Sequence, residues 1–420
     1  PWISEEAIRR TIQAAPRMFR YVYVAENLEI FYSLQSRRFI DWCERMLTLC
    51  VRHHLKMLFK EKHDCWGLVV ADPEIGARLF KPEFRETIVP IFSTNQPYQP
   101  EVQWGGLIGL KQVGWVKEFG MSTQYWNWHE WMVRDVDVAS ACPSDVMLRL
   151  ELLGASLGAT WFHIEGGQPH LQADPERGFV PTGTRRFELV HALLRKNLLV
   201  ADAPLANRNR VVLVRSMHPE LERAKAEDRR IFYPYYARNV NALRKGLMAA
   251  TWMFEPYAPL AFPRLAYGAT HNGTDCFPET PLGWFDIVPR GTALPAGRQV
   301  LETDGERVRW KGQWTPVEGL AKDLPALLRA GAEELPLEAP GATLVLQGPL
   351  DTAAKEYCAI LIDPGYLAPT GVRTALQARG GRRFLAEDLV TGEALTAIGG
   401  DYAVTIAPGA FRILKVTLAR

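Results

Sequence analysis

The 420-residue chain lacks most of the short signatures that reveal a function at once. It has no GxGxxG or GxxxxGKS/T loop, which excludes a nucleotide site built on a glycine-rich turn. Its single GxSxG match, Gly154 to Gly158, falls at the end of a helix-like segment and not between a strand and a helix, so it makes no nucleophile elbow, which argues against a serine hydrolase. The six cysteines, Cys43, Cys50, Cys65, Cys142, Cys276 and Cys358, show no CxxC or Cys/His spacing, so neither a metal site nor a cofactor is expected. Cys43 and Cys50 lie ~10 Å of helical rise apart, too far for a disulfide. Cys65 and His63 would share a strand face as thiol and base, but no third group is at hand to orient the imidazole. No run of ~18 apolar residues could span a bilayer, and there is no signal-peptide pattern. With 49 basic and 47 acidic residues the formal net charge is +2, too small a field to favour nucleic acid or an anionic membrane as partner.

What the chain does have is aromatic rings. Thirteen Trp and thirteen Tyr are present, and several stand in polar segments. Flat rings with polar edges suit the C–H faces of sugars, although they also fill cores. A neutral carbohydrate is the expected partner.

From Tyr21 to about Glu165 strand-like and helix-like segments alternate. Strands are expected around Val22, Leu58, Val89, Ser122 and Phe162, with amphipathic helices over Ser36–His54, Glu101–Val116 and Pro143–Leu157. A βα repeat without a phosphate loop predicts a (β/α)8 barrel over residues 1–263, with a helical extension. Only five good strands are evident. The missing ones are expected upstream of Pro1, or else in weaker segments such as Arg210–Arg215. From residue 264 to 420 short strands with Gly/Pro turns, RVRWKGQW, ATLVLQG, YCAILID, DLVTGEAL, YAVTIAP and FRILKVTLA, predict an antiparallel β-sandwich.

The candidate chemistry lies at the strand ends, where a parallel sheet presents its ligand-binding edge. ATWFHIEGG brings Glu165 to the end of an apolar run, YVYVAEN does so for Glu26, and KMLFKEKHDCW for Glu61. A carboxylate after WFHI is costly to bury unless it is used or paired. In STQYWNWHEW, alternation puts Tyr125, Asn127 and His129 on one side and Trp126, Trp128 and Glu130 on the other, so one side could line a sugar cleft. Asn95 and Gln96 follow the strand TIVPIFS with amides suited to hydroxyls, and Asn27 stands beside Glu26. Trp104, His63, Trp66, His163 and Gln168 complete the candidate substrate contacts.

These segments, YVYVAEN, KMLFKEKHDCW, STQYWNWHEW and ATWFHIEGGQ, followed by a β-rich end, resemble barrel glycoside hydrolases. They are most like glycoside hydrolase family 98, the endo-β-galactosidases that cut blood-group glycans. The resemblance implies an inverting mechanism in which a glutamic acid protonates the leaving oxygen and carboxylates on later strands activate water. Carried over by strand position, Glu26 is the acid and Glu165 a base, aided by Glu61 or Glu130. The family's additional acid falls where this chain offers His129 and Glu130 without a clear Asp. The implied substrate is a galactose-containing or related poly- or oligosaccharide cut at internal bonds, and a secreted, periplasmic or cell-surface setting is expected. Two alternatives stand beside this reading. One is a non-catalytic carbohydrate-binding protein on a degenerate barrel. The other is a λ-carrageenase-like hydrolase of sulfated polysaccharide, which calls for cations such as Lys60 and Lys62.

Overall fold

The computed structural model describes residues 3–25, 30–31, 34–61, 66, 72–93, 100–124, 144–165, 171–174, 176, 178–181, 185–201, 203–206, 211–216, 222–223, 226–227, 231–232, 286–294, 296–304, 307–316, 335–364, 370–395, 397–398 and 401–419. The expected segment Tyr233–Phe262 lies outside them.

Helix α1 (Glu5–Ala14) starts on Ser4, whose hydroxyl accepts from the Ala7 N–H. It precedes strand β1 (Tyr21–Ala25), helix α2 (Leu34–Arg52), strand β2 (Lys56–Glu61), helix α3 (Pro73–Leu79), strand β3 (Ile88–Ser93), helix α4 (Pro100–Gln112), strand β4 (Gly120–Gln124), helix α5 (Ser144–Ser156) and strand β5 (Trp161–Glu165). The five strands form one parallel sheet in the order β1-β2-β3-β4-β5. All five expected strands are present. Helix α3 was not anticipated, although Asp72 caps it and Pro73 opens it.

Alternation along the strands divides the sheet into two faces. Val22, Val24, Met57, Phe59, Ile88 and Met121 join the main core, which also holds Phe39, Cys43, Met46, Leu47 and Cys50 of α2 and Leu107 and Leu110 of α4. The i, i+3, i+4, i+7 spacing of those α2 residues is what buries this helix against the sheet. The opposite face carries Tyr21, Tyr23, Leu58, Lys60, Val89, Ile91, Ser122, Trp161 and His163. A line of paired residues crosses the sheet through Ala25, Lys60, Ile91, Gly120 and Trp161. It begins at the last residue of β1 and ends at the first of β5, so the strands slip steadily past one another.

The sheet is strongly curled, because residues of non-adjacent strands meet on this inner face. Lys56 of β2 and Glu118, just before β4, form an ion pair at 2.6 Å. Tyr21 of β1 and Trp161 of β5 meet edge-on with centroids 6.2 Å apart. Gly120 makes room for that tryptophan, since a Cβ there would lie 2.6 Å from the Trp161 carbonyl oxygen and 2.8 Å from its Cβ.

Helix α6 (Arg185–Arg195) packs beside α5 and leads to a second sheet. In it strand β6 (Val211–Arg215) lies parallel between β7 (Asp286–Pro289) and β8 (Gln299–Thr303), and the hairpin β9 (Arg307–Trp310) and β10 (Gln313–Pro316) extends it. Two sequence expectations are corrected here. Residues 211–215 do not complete the first sheet, because their backbone is paired on both sides by β7 and β8. RVRWKGQW belongs with them instead of with the C-terminal strands. Hydrogen bonding in this sheet therefore joins residues on either side of position 263. The sheet lies close on α4, where a Cβ on Gly109 would come within 2.3 Å of the Ile287 oxygen.

The C-terminal strands form two four-stranded antiparallel sheets. One has the order β11 (Leu337–Glu338), β14 (Val372–Ala378), β17 (Asp401–Ile406), β16 (Ala397–Ile398). The other has the order β12 (Thr343–Asp351), β13 (Glu356–Ile362), β18 (Phe411–Leu418), β15 (Phe384–Asp388). Leu337, Leu376, Tyr402 and Val404 of the first share a core with Leu344, Leu346, Leu361 and Val416 of the second. The second sheet is buried on both faces, since Val345, Cys358, Ile360 and Ile413 enter the main core. That is why β12 and β13 read as continuous apolar runs. Gln347 fixes the junction, donating to the carbonyls of Ser156 and Val200 and accepting from the Val200 N–H. The expected strand DLVTGEAL is a turn, because Asp388 Oδ1 accepts from the Val390 and Thr391 N–H groups and Gly392 takes φ +74°.

Candidate active site

A parallel sheet directs all its strand ends to one edge, and here the chain leaves that edge at Ala25, Glu61, Ser93, Gln124 and Glu165. The candidate residues follow these exits in sequence. Glu26 and Asn27 come after β1, His63 after β2, Asn95 and Gln96 after β3, Tyr125, Trp126, Asn127, Trp128, His129 and Glu130 after β4, and Gln168 after β5. All of these lie outside the described residues, as does Lys62. Glu165 and Glu61 are placed by backbone: Glu165 is the last residue of β5, paired with Gln124, and Glu61 is the last of β2, paired with Phe92. Trp104 is on α4.

Two candidates are described in full, and they differ. Trp66 is 0% exposed, its indole N–H donates to the Ile91 carbonyl at 3.0 Å, and its ring meets Phe59 and Phe80 edge-on. It is a core residue and not a sugar-facing wall. Indole is apolar enough to fill the core once its single donor finds an acceptor.

His163 is on the inner face of β5, two residues before Glu165. Its Nδ1 is 2.9 Å from the Ser122 hydroxyl and 3.3 Å from the Tyr23 hydroxyl. The Tyr23 and His163 rings lie 4.9 Å apart at a tilt of 31°. Ser122 is fully buried, whereas Tyr23 is 38% exposed. Lys60, on the same face, is only 1% exposed, so it cannot serve as the open cationic contact that a sulfated polymer calls for.

Sequence reasoning passed over Tyr23 and Ser122. The signal was available in part, because YVYV puts Tyr21 and Tyr23 on one side of a strand. What was missing was the register that brings them to β5. Among the described residues no cluster of three His, Cys, Asp or Glu side chains could hold a metal ion, and no helix is long and apolar enough to cross a membrane.

With this geometry in view, the fold can be placed among known ones: it resembles that of glycoside hydrolase catalytic modules. In particular it is similar to the native catalytic module of a family 98 glycoside hydrolase from Streptococcus pneumoniae TIGR4, with a TM-score of 0.56 and 12% identity, covering 98% of this chain and 64% of that chain. This chain thus spans less than two thirds of that one. The same organism's family 98 module in complex with the H-disaccharide blood group antigen gives a TM-score of 0.51 at 10% identity, covering 99% of this chain and 88% of that one. The complex with the LewisY pentasaccharide antigen gives 0.51 at 9% identity, with the same coverages. No family model and no curated protein matches the chain. At such identities the likeness is one of fold, and it falls on the family that the strand-end motifs resemble.

Proposed function

We propose that the chain is a glycoside hydrolase that cleaves internal bonds of a galactose-containing or related oligo- or polysaccharide, with Glu26 as general acid and Glu165 as general base. The observation that carries this reading is the fold likeness, along 98% or more of the chain, to family 98 catalytic modules, two of them holding blood-group oligosaccharides. The position of Glu165 at the carboxyl end of a parallel strand supports it, since that edge is where barrel enzymes keep their chemistry. Glu61 and Glu130 are assigned supporting roles, with Asn27, Asn95, Gln96 and the aromatic segment 125–129 as substrate contacts.

The scaffold belongs to the same proposal. We take β1–β5 as five strands of a closed (β/α)8 barrel in a catalytic domain of residues 1–263, and residues 264–420 as a C-terminal β-sandwich domain whose boundary the sheet of β6, β7 and β8 crosses. Strands one and five of such a barrel stand opposite each other, and the contacts of Tyr21 with Trp161 and of Tyr23 with His163 support that arrangement. The slip of about one residue per strand pair also matches an eight-stranded barrel of shear 8.

The acid/base pair acts by inversion if its carboxyls stand ~6.5–9.5 Å apart, with water admitted between base and anomeric carbon. The test is digestion of a glycan panel with the first-formed anomer read by NMR, for the wild type and for Glu26→Gln and Glu165→Gln. The expected result is an inverted product from the wild type and loss of turnover in both variants. Unchanged turnover in both would remove the catalytic assignment and favour a different site on the same scaffold.

A further inference from the structure

Alternation along β8 and β9 sends Leu301 and Val308 into the main core and leaves Glu302 and Arg309, a cross-strand pair, on the opposite face of the second sheet. Trp314 of β10 is paired with Arg309 and stands on that same face. Glu302 is only 6% exposed, and a carboxylate set so deep needs partners. Arg309 Nη2 lies 2.6 Å from one of its oxygens, and Arg290 Nε lies 3.1 Å from the other, as an ion pair without hydrogen-bond geometry. The buried carboxylate thus holds two guanidiniums from beneath, while the Arg309 and Arg290 side chains stay 49% and 70% exposed. Trp314, 40% exposed, is the one tryptophan among the exposed large apolar side chains described. The guanidinium carbons of Arg307 and Arg309 lie 5.3 Å and 5.8 Å from its ring centroid. Arg307 is in turn held by Asp304, which is 8% exposed. Both carboxylates lie below and all three guanidiniums outermost, so the surface offered to solvent is a flat ring rimmed by positive charge.

We propose that this face binds an acidic glycan, with the Trp314 ring stacked on the C–H face of a sugar and Arg309 and Arg290 holding its carboxylate or sulfate. An indole suits the first contact, and the forked N–H donors of arginine match the second in a bidentate way. Glu302 is a positioning residue, because it acts through the two arginines. That a sugar carries the oxyanion rests on the glycosidase reading. The match of an oxyanion to this ring and its guanidiniums rests on the patch alone. Nucleic acid fits less well, because one ring and a few arginines span a single unit of a polymer, and a net charge of +2 supplies no field for a phosphate backbone.

The test is titration calorimetry of the full chain with four probes: hexasaccharides of hyaluronan, which carries carboxylates, and of chondroitin sulfate, which carries sulfates as well, neutral chitohexaose, and hexathymidylate. Binding of at least one acidic hexasaccharide is expected, with chitohexaose about tenfold weaker or worse. Hyaluronan binding assigns the carboxylate, and binding of chondroitin sulfate alone assigns the sulfate. Trp314→Ala and Arg309→Lys are each expected to weaken the acidic probe about tenfold, with thermal melts to establish that both variants are folded. Arg309→Lys keeps the charge and a partner for Glu302, so a loss there reports the guanidinium fork and not the net charge. Failure of both acidic probes to bind, equal binding of chitohexaose, tighter binding of hexathymidylate, or wild-type affinity in both variants overturns the proposal. Hydrolysis of a glycan panel is read separately. Binding at Trp314 in a protein that hydrolyses no glycan removes the glycosidase reading alone, and hydrolysis without binding at Trp314 removes the present proposal alone.

Discussion

Tyr23 and His163 touch across the inner face of the parallel sheet, although β1 and β5 are its two edges. In a flat sheet four spacings of ~4.8 Å would put these strands roughly 19 Å apart, beyond the reach of a phenol and an imidazole. The contact therefore measures the curl of the sheet. The Tyr21 and Trp161 pair records the same curl one layer below.

That lower pair gives a prediction that does not depend on the reaction. A double-mutant cycle on Tyr21→Ala and Trp161→Ala, read by urea unfolding, is expected to show a coupling of about 1 kcal/mol, as aromatic pairs do. Additive losses would mean that the two edges do not meet in solution and that the sheet is open.

A second prediction concerns the residue that lets Trp161 lie where it does. A Cβ on Gly120 would meet the Trp161 carbonyl oxygen at 2.6 Å, the Trp161 Cβ at 2.8 Å and Ile91 Cγ1 at 3.1 Å. Two of these atoms belong to backbone or to a β-carbon and cannot swing away. Gly120→Ala is expected to destabilise by about 1–3 kcal/mol through overpacking. An unchanged urea midpoint would show that the β4–β5 spacing is wider than described.

Much of the first sheet was legible in the sequence, and the reason is local. YVYVA, KMLFKE and WFHIE each declare a strand by apolar run or alternation, and the helices between them declare themselves by period. The second sheet was not legible. VVLVR reads as another buried parallel strand, which it is, but nothing in five residues says which sheet it joins. DLVTGEAL misled because its apolar and β-branched residues look like a strand, whereas one carboxylate, Asp388, bonds the backbone ahead of it into a turn. The inner-face cluster needed the stagger between strands, a property of the assembled sheet. Trp66 shows the converse failure, since a tryptophan among polar neighbours in sequence is not thereby exposed.

The cysteines give a chemical prediction. Burial pushes the thiols of Cys50 and Cys358 up to about 12, so almost none of either is thiolate at neutral pH. Cys43 is buried as well, and none of the three is in a disulfide. Iodoacetamide at pH 8 is expected to leave these three positions unmodified in the folded protein and to label them after unfolding in guanidinium, as read by peptide mass spectrometry. Rapid labelling of Cys358 in the native state would show that β13 opens from the main core, because the thiolate is the reactive species.

The last prediction uses the turn that closes β15. Asp388 is 1% exposed, and burial alone would raise its pKa. The N–H groups of Thr391 and Val390 and the Arg412 guanidinium outweigh that and hold the carboxyl below its ordinary value of 3.8. A depressed carboxyl contributes stability that is present above the unfolded pKa and is lost as pH falls through the folded one. Asp388→Asn keeps an oxygen for the two N–H groups but leaves Arg412 with only the more distant Glu393 carboxylate, 3.9 Å away, so a loss of about 2 kcal/mol is expected at pH 7. The gap in Tm between wild type and variant should then narrow on acidification below about pH 4, since the carboxylate of the unfolded chain takes up its proton there and the folded one follows at lower pH. A gap that stays constant from pH 7 to pH 2 would assign the loss to packing in the turn, and the ion pair with Arg412 would carry none of it.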